Sequence, residues 1–296
     1  MYSQIASNKH KSLFLVILFI GIILLLGWSF DKYYGGAGSG LVLAIMFSFG
    51  MTMISYFAGD KIALAVSHAQ PLTKDQNAYL YRLVENLCLT AGLPLPKIYL
   101  LPESAINAFA TGRDPSHASL AVTQGALDKL ANEELEGVLA HELSHIKNYD
   151  VRFMTLVVVL VGSIGLLSYW FRRSLFFGGR SSAQRGRENN GGLLAIVGIV
   201  LAILSPLIAE LIKLAVSRKR EFLADASGAL LTRYPEGLAR ALEKIAQNSQ
   251  PLLSANTTTA PLYLANPFGE GTGKKLAALF STHPPLEERI KILRNM

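Results

Sequence analysis

Four stretches of the chain contain no Asp, Glu, Lys or Arg and consist mostly of apolar residues. They cover residues 12–30, 33–59, 153–171 and 191–209, and none is shorter than 19 residues. A helix needs roughly 20 apolar residues to cross the hydrocarbon core of a bilayer, so the pattern predicts four transmembrane or membrane-associated helices. Buried helices of a soluble core are the alternative, chiefly for the second pair, which Gly and Ser dilute.

The first two apolar segments predict a hairpin that anchors the chain, because only Asp31 and Lys32 separate them. A cleaved signal peptide is the alternative, but the first apolar run exceeds the usual length of about 7–15 residues. Lys9 and Lys11 precede this segment. By the positive-inside rule they place the N-terminus, and the residues that follow the hairpin, in the cytoplasm.

A basic loop at residues 172–190, rich in Gly and Ser, joins the two later apolar segments. It contains five arginines and one glutamate. If both segments cross the membrane fully, this loop lies outside the cell, against the positive-inside rule. Either the second hairpin is only partly inserted or the first hairpin sets the orientation. The length and low charge of both segments favour two full crossings.

The composition fits a membrane protein. Apolar residues make up 51% of the chain and charged residues only 17%, against roughly 25% charged residues in soluble globular proteins. The formal charge is +7, and no basic run is interleaved with aromatic residues. We therefore attribute the basic excess to membrane orientation and contact with anionic lipids, not to nucleic-acid binding. The single cysteine, Cys88, rules out an intrachain disulfide and a cysteine-cluster metal site.

The N-terminal hairpin covers residues 12–59, and the sequence outside the apolar segments predicts one water-facing domain in two parts. These parts cover residues 60–152 and 210–296, and the second membrane hairpin over 153–209 divides them. Helical periodicity over 73–91 would begin at a capping box, and a later helix would be capped by Asn132. The other expected elements are strands at 97–101, 106–112 and 119–123, and helices that begin near residues 235 and 285. The expected fold class is α+β, mainly α-helical, with a small β-sheet.

Residues 141–145 read His-Glu-Leu-Ser-His within the helix that follows Asn132. Side chains at i and i+4 project from one helix face, so His141 and His145 can both bind one Zn²⁺ at about 2.0–2.1 Å. Glu142 stands beside the first ligand, where a carboxylate can act as general base. A catalytic zinc site keeps one position open and needs only one more protein ligand. Two surface histidines on an acidic helix are the alternative.

The third ligand must come from another segment, and residues 220–225 are the best candidate. Glu221 and Asp225 stand at i and i+4, so both carboxylates face the same way along a helix. One can bind the metal while the other accepts a hydrogen bond from the second ring nitrogen of a ligand histidine. Glu210, with Lys213 at i+3, is a rival that fits an ion pair at a membrane boundary better.

Four motifs together resemble HtpX-type integral-membrane zinc metalloproteases, which are relatives of the CAAX prenyl proteases. They are the motif at 141–145, Arg-Glu-Phe-Leu-Ala-Asp at 220–225, Ile-Asn-Ala-Phe-Ala-Thr-Gly at 106–112, and Thr-His-Pro-Pro at 282–285. The resemblance runs from the first hairpin to the C-terminus. The combination is more specific than His-Glu-x-x-His alone, which many zincins share.

The resemblance implies a zincin-like catalytic domain with one Zn²⁺ per subunit. His141, His145 and Glu221 would be the ligands and Glu142 the general base. Asp225 is then the expected hydrogen-bond acceptor for a ligand histidine.

The resemblance also suggests residues that contact the substrate. His283 is the candidate for a second electrophile that shares the developing oxyanion. The strand that contains Asn107, Ala108 and Phe109 would pair with the backbone of the substrate as an added β-strand. An ordinary inner strand and a surface histidine in a turn are the alternatives.

The implied function is that of a membrane-bound zinc endopeptidase in the bacterial inner membrane, with its active site facing the cytoplasm. It would clear misfolded or damaged membrane proteins and unfolded proteins in quality control and the stress response. The expected partners are polypeptide substrates and the lipid bilayer, without nucleic acid. A prenyl-peptide protease, a site-2-type intramembrane protease and a membrane scaffold with structural zinc are the alternatives.

Overall fold

Three long apolar helices form the membrane part of the structure, a computed structural model that describes residues 2–34, 36–178, 217–248, 250–254, 258–268 and 284–296. They are α1 (Tyr2–Tyr34), α2 (Ser39–Val66) and a later helix, α6 (Asp150–Gly178). Each is long and apolar enough to cross a bilayer, over Ile5–Lys32, Ser39–Val66 and Asp150–Leu167. The fourth predicted segment, 191–209, lies outside the described residues.

The first two helices form the predicted hairpin, but their connection lies later than expected. Asp31 and Lys32 belong to the last turn of α1, and the Asp31 carboxylate accepts the backbone N–H groups of Gly40 and Leu41. It thereby caps the first turn of α2, whose N–H groups have no helical partners. The helices approach closely where a Cβ on Gly27 would lie 2.6 Å from the Gly40 carbonyl oxygen.

A small mixed sheet stands beside the polar ends of these helices, with the strand order β1-β2-β4-β3. The strands are β1 (Gln70–Pro71), β2 (Lys97–Leu101), β3 (Ala108–Gly112) and β4 (Ala118–Thr123). Strand β2 is parallel to β4, whereas β3 pairs antiparallel with β4 and lies at the edge. The expected strand at 106–112 begins only at Ala108.

The other described helices are α3 (Ala78–Ala91), α4 (Gln124–Lys129), α5 (Asn132–Lys147), α7 (Arg218–Thr232), α8 (Pro235–Gln247) and α9 (Leu286–Arg294). The fold is therefore mainly α-helical with one small sheet, as predicted. Short 3₁₀ helices occur at Pro115–His117 and Ala260–Leu262.

Two helix starts differ from the sequence prediction. Helix α3 begins five residues later than expected, because the Asn77 side chain accepts the N–H of Leu80 and Gln76 belongs to a separate turn. Asn132 is the first residue of α5 and not its cap. The Glu134 carboxylate reaches back to the backbone N–H of Ala131 and satisfies that donor instead.

Helix α5 is the centre of the domain outside the three long helices, since α3, α7, α8 and β3 all contact it. A Cβ on Gly137 would lie 2.7 Å from the backbone nitrogen of Leu238, so only glycine permits this approach of α8. All but four residues of α5 are buried. The polar motif at 141–145 consequently lies in the protein interior.

Candidate metal centre

The two motif histidines face each other inside the protein. His141 and His145 are one turn apart on α5, and their ring centroids are 4.8 Å apart. Their Nε2 atoms are separated by only 3.1 Å. Both side chains are buried.

Helix α7 brings a carboxylate to the same point. Glu221 Oε2 lies 3.8 Å from His141 Nε2, and Glu221 Oε1 lies 3.6 Å from His145 Nε2. The helices can approach because position 228 is glycine: a Cβ there would lie 3.0 Å from the backbone nitrogen of His141. The three side chains offer ligand atoms within 4.8 Å of one another.

Each histidine is held from behind by an aspartate. His141 Nδ1 lies 2.9 Å from Asp225 Oδ1, and His145 Nδ1 lies 3.1 Å from Asp150 Oδ2. A carboxylate beside Nδ1 favours the imidazole tautomer that carries its proton on Nδ1. The lone pair on Nε2 then faces the opposite ring. Asp225 thus contacts the first candidate ligand, and Asp150 supplies the equivalent contact to the second histidine.

Arg289 of α9 joins this group although it is completely buried. Its guanidinium donates to both carboxylate oxygens of Asp225, at 2.7 and 2.8 Å, and to the carbonyl of Leu264. Its Nη1 atom is 3.7 Å from Glu221 Oε2. Since a bidentate pair fixes the orientation of both groups, Arg289 positions Asp225 against His141.

The first membrane helix reaches the same network. The Asn8 side-chain amide donates to Asp150 Oδ1 at 2.7 Å and to the carbonyl of Asn148 at 2.9 Å. Tyr149 adopts a left-handed conformation with φ 61°, which turns the chain sharply between α5 and α6. This turn returns Asp150 to His145, five residues earlier.

The residues fit a divalent cation. In a tetrahedral zinc site, neighbouring ligand atoms are about 3.3 Å apart, close to the 3.1, 3.6 and 3.8 Å between the three candidate ligand atoms. The surrounding buried group holds four carboxylates and two guanidiniums: those of Glu142, Asp150, Glu221 and Asp225, and of Arg220 and Arg289. Its formal charge is two negative, which a divalent cation balances.

Burial and the neighbouring charges both shift the pKa values of the site. Burial raises the pKa of the Glu142 carboxyl to about 7. Burial would lower the pKa of His145, but the hydrogen bond that it donates to Asp150 and the charges of Glu221 and Asp150 raise the pKa to about 9. Burial lowers the pKa of His141, and Asp225 only partly offsets that effect.

Glu142 points from α5 towards the edge strand. Its carboxylate interacts with the backbone N–H of Ala110, in the middle of β3. Because β3 pairs with β4 on its other side, this N–H faces outward from the sheet. The strand and the candidate base therefore lie side by side.

The predicted substrate residues lie at the start of this strand. The Asn107 side chain donates to the carbonyl of Ala265 and accepts the N–H of Ala108. The carbonyl of Ala108 accepts the N–H of Leu264, and the Phe109 ring packs edge-on against Tyr263 at 5.1 Å. A segment of the chain itself thus borders β3 here.

His283 and the rival pair at 210 and 213 lie outside the described residues.

Sequence reasoning did not identify Asp150, Arg289 or Asn8 as part of this site. Asp150 stands beyond the end of α5, where helical spacing does not predict contact with His145. Arg289 could have been noticed as a charge on the apolar face between Leu286 and Leu293. Asn8 lies 142 residues from Asp150, and no local signal indicates that contact.

Three comparisons relate the chain to known proteins. The family model described as "Peptidase family M48" matches residues 74–296. The chain is 44% identical to the Protease HtpX homolog of Dictyoglomus turgidum, over 100% of the chain and 94% of that relative. It is 42% identical to the Protease HtpX homolog of Thermoanaerobacter pseudethanolicus, over 100% and 98%. A crystal structure of S. mikatae Ste24p aligns with 99% of this chain and 67% of that one, with 23% identity and a TM-score of 0.49.

The raised pKa values predict how pH affects the metal-free protein. Above about pH 6.5 the native state holds a proton on His145, with a pKa of about 9, that the unfolded chain releases. Glu142, with a pKa of about 7, acts in the same direction but mainly between pH 4.5 and 7. The metal-stripped protein should therefore lose stability as pH rises from 7 to 9. We expect the thermal midpoint to fall by at least about 3 °C, and zinc to remove most of this fall.

The control for this measurement is another histidine. His145→Asn should flatten the pH dependence of the metal-stripped protein, whereas His68→Asn, at an exposed turn, should not. A midpoint that rises from pH 7 to 9 in the stripped wild type would contradict the assignment.

The two aspartates behind the histidines should each strengthen metal binding. We expect Asp150→Asn and Asp225→Asn to weaken zinc affinity by about 10–100-fold, as losses of such hydrogen bonds do. Competition with a chromophoric chelator measures this, and Asp128→Asn, at an exposed position, is the matched control. Unchanged affinity in both variants would show that these contacts do not tune the site.

Proposed function

The chain belongs to peptidase family M48 and is a membrane metalloprotease similar to the HtpX proteins, and on that premise we propose that it is a zinc endopeptidase of protein quality control. Its substrates are misfolded or damaged membrane proteins and unfolded chains. The observation that carries the proposal is the buried convergence of His141, His145 and Glu221 beside Glu142.

We assign zinc to His141, His145 and Glu221. Two imidazoles and one carboxylate form the ligand set of catalytic zinc in several peptidases, and a fourth position stays open. Zinc held there would polarise the scissile carbonyl and make a water more acidic.

Glu142 is the proposed general base. Its pKa of about 7 suits a group that takes a proton from the attacking water and returns it to the leaving amine near neutral pH. The carboxylate lies beside the Ala110 N–H of the edge strand. His283 remains the proposed second electrophile for the oxyanion, on the strength of the Thr-His-Pro-Pro motif alone.

The edge strand is the proposed binding site for the substrate backbone. Strand β3 lies at the end of the sheet order, with the N–H of Ala110 facing outward next to Glu142. A substrate in extended conformation that pairs with Asn107, Ala108 and Phe109 would have to exchange the Leu264 bond to the Ala108 carbonyl. Backbone pairing is independent of sequence, which suits a protease of unfolded chains.

The proposed location is the bacterial inner membrane with the site in the cytoplasm. The start of α1, the end of α2 and the start of α6 lie at the same side, because Asn8 bonds to Asp150 and Gly59 packs on Thr155. Lys9 and Lys11 mark this side as the cytoplasmic one. We retain the division into an anchor at 12–59, a catalytic domain at 60–152 and 210–296, and a second hairpin between them.

Two alternatives agree less well with the structure. An intramembrane protease needs its motif inside a spanning helix. Helix α5 is not among the candidate spans of the described residues, and its first turn carries Glu133 and Glu134. A scaffold with structural zinc needs four closing ligands and no base, whereas Glu142 stands beside the three. A prenyl-peptide protease remains the second candidate. Comparing the hydrolysis rates of farnesylated and unmodified peptides distinguishes it from an endopeptidase of unfolded chains.

Replacement of the base tests the chemistry. Glu142→Gln should retain zinc, because the ligands are untouched, but hydrolyse unfolded casein about 10²–10⁴ times more slowly, because an amide cannot accept the proton. Glu133→Gln, at an exposed position of the same helix, is the control. Near-wild-type turnover of zinc-loaded Glu142→Gln would remove the base assignment.

Backbone methylation of the substrate tests strand pairing. A peptide N-methylated at the residue that pairs with β3 should lose at least about tenfold in kcat/KM, because a ladder hydrogen bond and its close approach are lost. A methyl group on the next backbone nitrogen of the peptide points away from β3 and should lower kcat/KM much less. Equal effects at both positions would argue against pairing at the edge.

Thiol labelling of intact cells tests the orientation. In a Cys88→Ser background, Ser116→Cys, in the turn after β3, should resist a membrane-impermeant reagent until the cells are opened. Ser181→Cys, in the basic loop, should react from outside if the second hairpin spans fully. External labelling at position 116 would overturn the cytoplasmic active site.

A further inference from the structure

A cavity lies between the membrane helices and the sheet, away from the metal centre. Its volume is about 330 Å³, and α2, α6 and the β3–β4 connection contribute most of its lining. None of its lining residues, all of them within the described part of the chain, belongs to α5, α7 or α9. The volume falls in the range of about 300–1,000 Å³ that is typical of small-molecule sites.

The lining is strongly cationic. Four basic side chains contribute to it: Lys61, Lys97, Arg113 and Arg152. Asp60 is the acidic lining residue, and Asp114, just outside, lies 3.6 Å from the Arg113 guanidinium. The lining therefore keeps a positive charge when both acids are counted. An anion is the ligand that such a cavity favours.

The two arginines are held in place before any ligand arrives. The Arg113 guanidinium lies over the rings of Tyr56 and Phe57, at 5.6 and 5.0 Å. The Arg152 guanidinium lies over Tyr56 and Tyr149, at 5.8 and 5.2 Å, and its Nε donates to the Arg113 carbonyl. Fixed guanidiniums lose little entropy on binding and match the geometry of phosphate oxygens.

Lys61 lies near the end of the candidate span Ser39–Val66, and Arg152 near the start of the candidate span Asp150–Leu167. The cavity therefore lies beside adjacent ends of two spans, where lipid headgroups are expected. On the cavity rim, the Phe57 and Leu95 side chains are 59% and 45% exposed. The site thus combines a cationic interior with apolar surface, as a lipid with an anionic head requires.

We propose that this cavity binds the phosphodiester headgroup of an anionic membrane lipid, whose acyl chains lie along the exposed apolar side of α2. The site also contacts the catalytic domain: the lining residues Gly112 and Thr155 are joined by a hydrogen bond of 3.1 Å. A bound headgroup would brace the end of β3 against α6. The proposal does not depend on the function assigned to the metal centre.

Native mass spectrometry of the full-length protein in detergent tests the proposal with dioleoylphosphatidylglycerol and dioleoylphosphatidylcholine as probes. We expect one phosphatidylglycerol per chain, retained at least about tenfold more tightly than phosphatidylcholine. Arg113→Gln/Arg152→Gln should lower this retention by about tenfold or more, since each basic side chain near an anionic lipid contributes about fivefold. Lys61→Gln/Lys97→Gln, at exposed positions, should lower it similarly.

The control pair is Lys74→Gln/Arg82→Gln, which removes the same charge from exposed positions outside the cavity. It should retain phosphatidylglycerol as the wild type does. Equal retention of the two lipids, or equal loss in the cavity and control pairs, would overturn the proposal. Displacement of phosphatidylglycerol by millimolar inorganic phosphate would assign the cavity to the free anion and overturn the lipid assignment.

Discussion

The contact between the Nε2 atoms of His141 and His145, 3.1 Å apart among buried carboxylates, is the constraint on which the arrangement of the catalytic domain depends. Two neutral imidazoles with their lone pairs directed at each other repel. In the metal-free protein a proton on His145, whose pKa is about 9, relieves this repulsion. A divalent cation can take the place of that proton and balance the excess negative charge. The helices around α5 hold the two histidines in this position. Helix α7 supplies Glu221, and α9 supplies Arg289, which donates to Asp225.

The membrane helices take part in this arrangement and do not only anchor the protein. Helix α6 begins with Asp150, which orients His145, and one turn later places Thr155 against Thr111 and Gly112 at the end of β3. Asn8 of α1 bonds to the other oxygen of Asp150. A single membrane helix therefore contacts both the metal centre and the proposed substrate strand. Changes in its packing within the bilayer would reach both.

The sequence predicted those parts of the fold and site that depend on local spacing. The apolar runs give the spanning helices, and the i, i+4 spacing places the two histidines together and Glu221 beside Asp225. The edge strand begins at Ala108, two residues later than the pattern predicts. The Asn107 side chain accepts the N–H of Ala108, and the Asn107 backbone N–H donates to the Thr123 hydroxyl and not to a ladder partner. Asp150, Arg289 and Asn8 depend on contacts across helices or on the left-handed turn at Tyr149, and no periodicity encodes those.

X-ray absorption at the zinc edge, combined with metal analysis, tests the central claim most directly. The account predicts one zinc per chain, with two imidazole nitrogens and carboxylate oxygen at about 2.0–2.2 Å. Glu221→Ala should lose the tightly bound metal, whereas Glu288→Ala, at an exposed position, should keep it. One tightly held zinc with an unchanged ligand shell in Glu221→Ala would contradict the account.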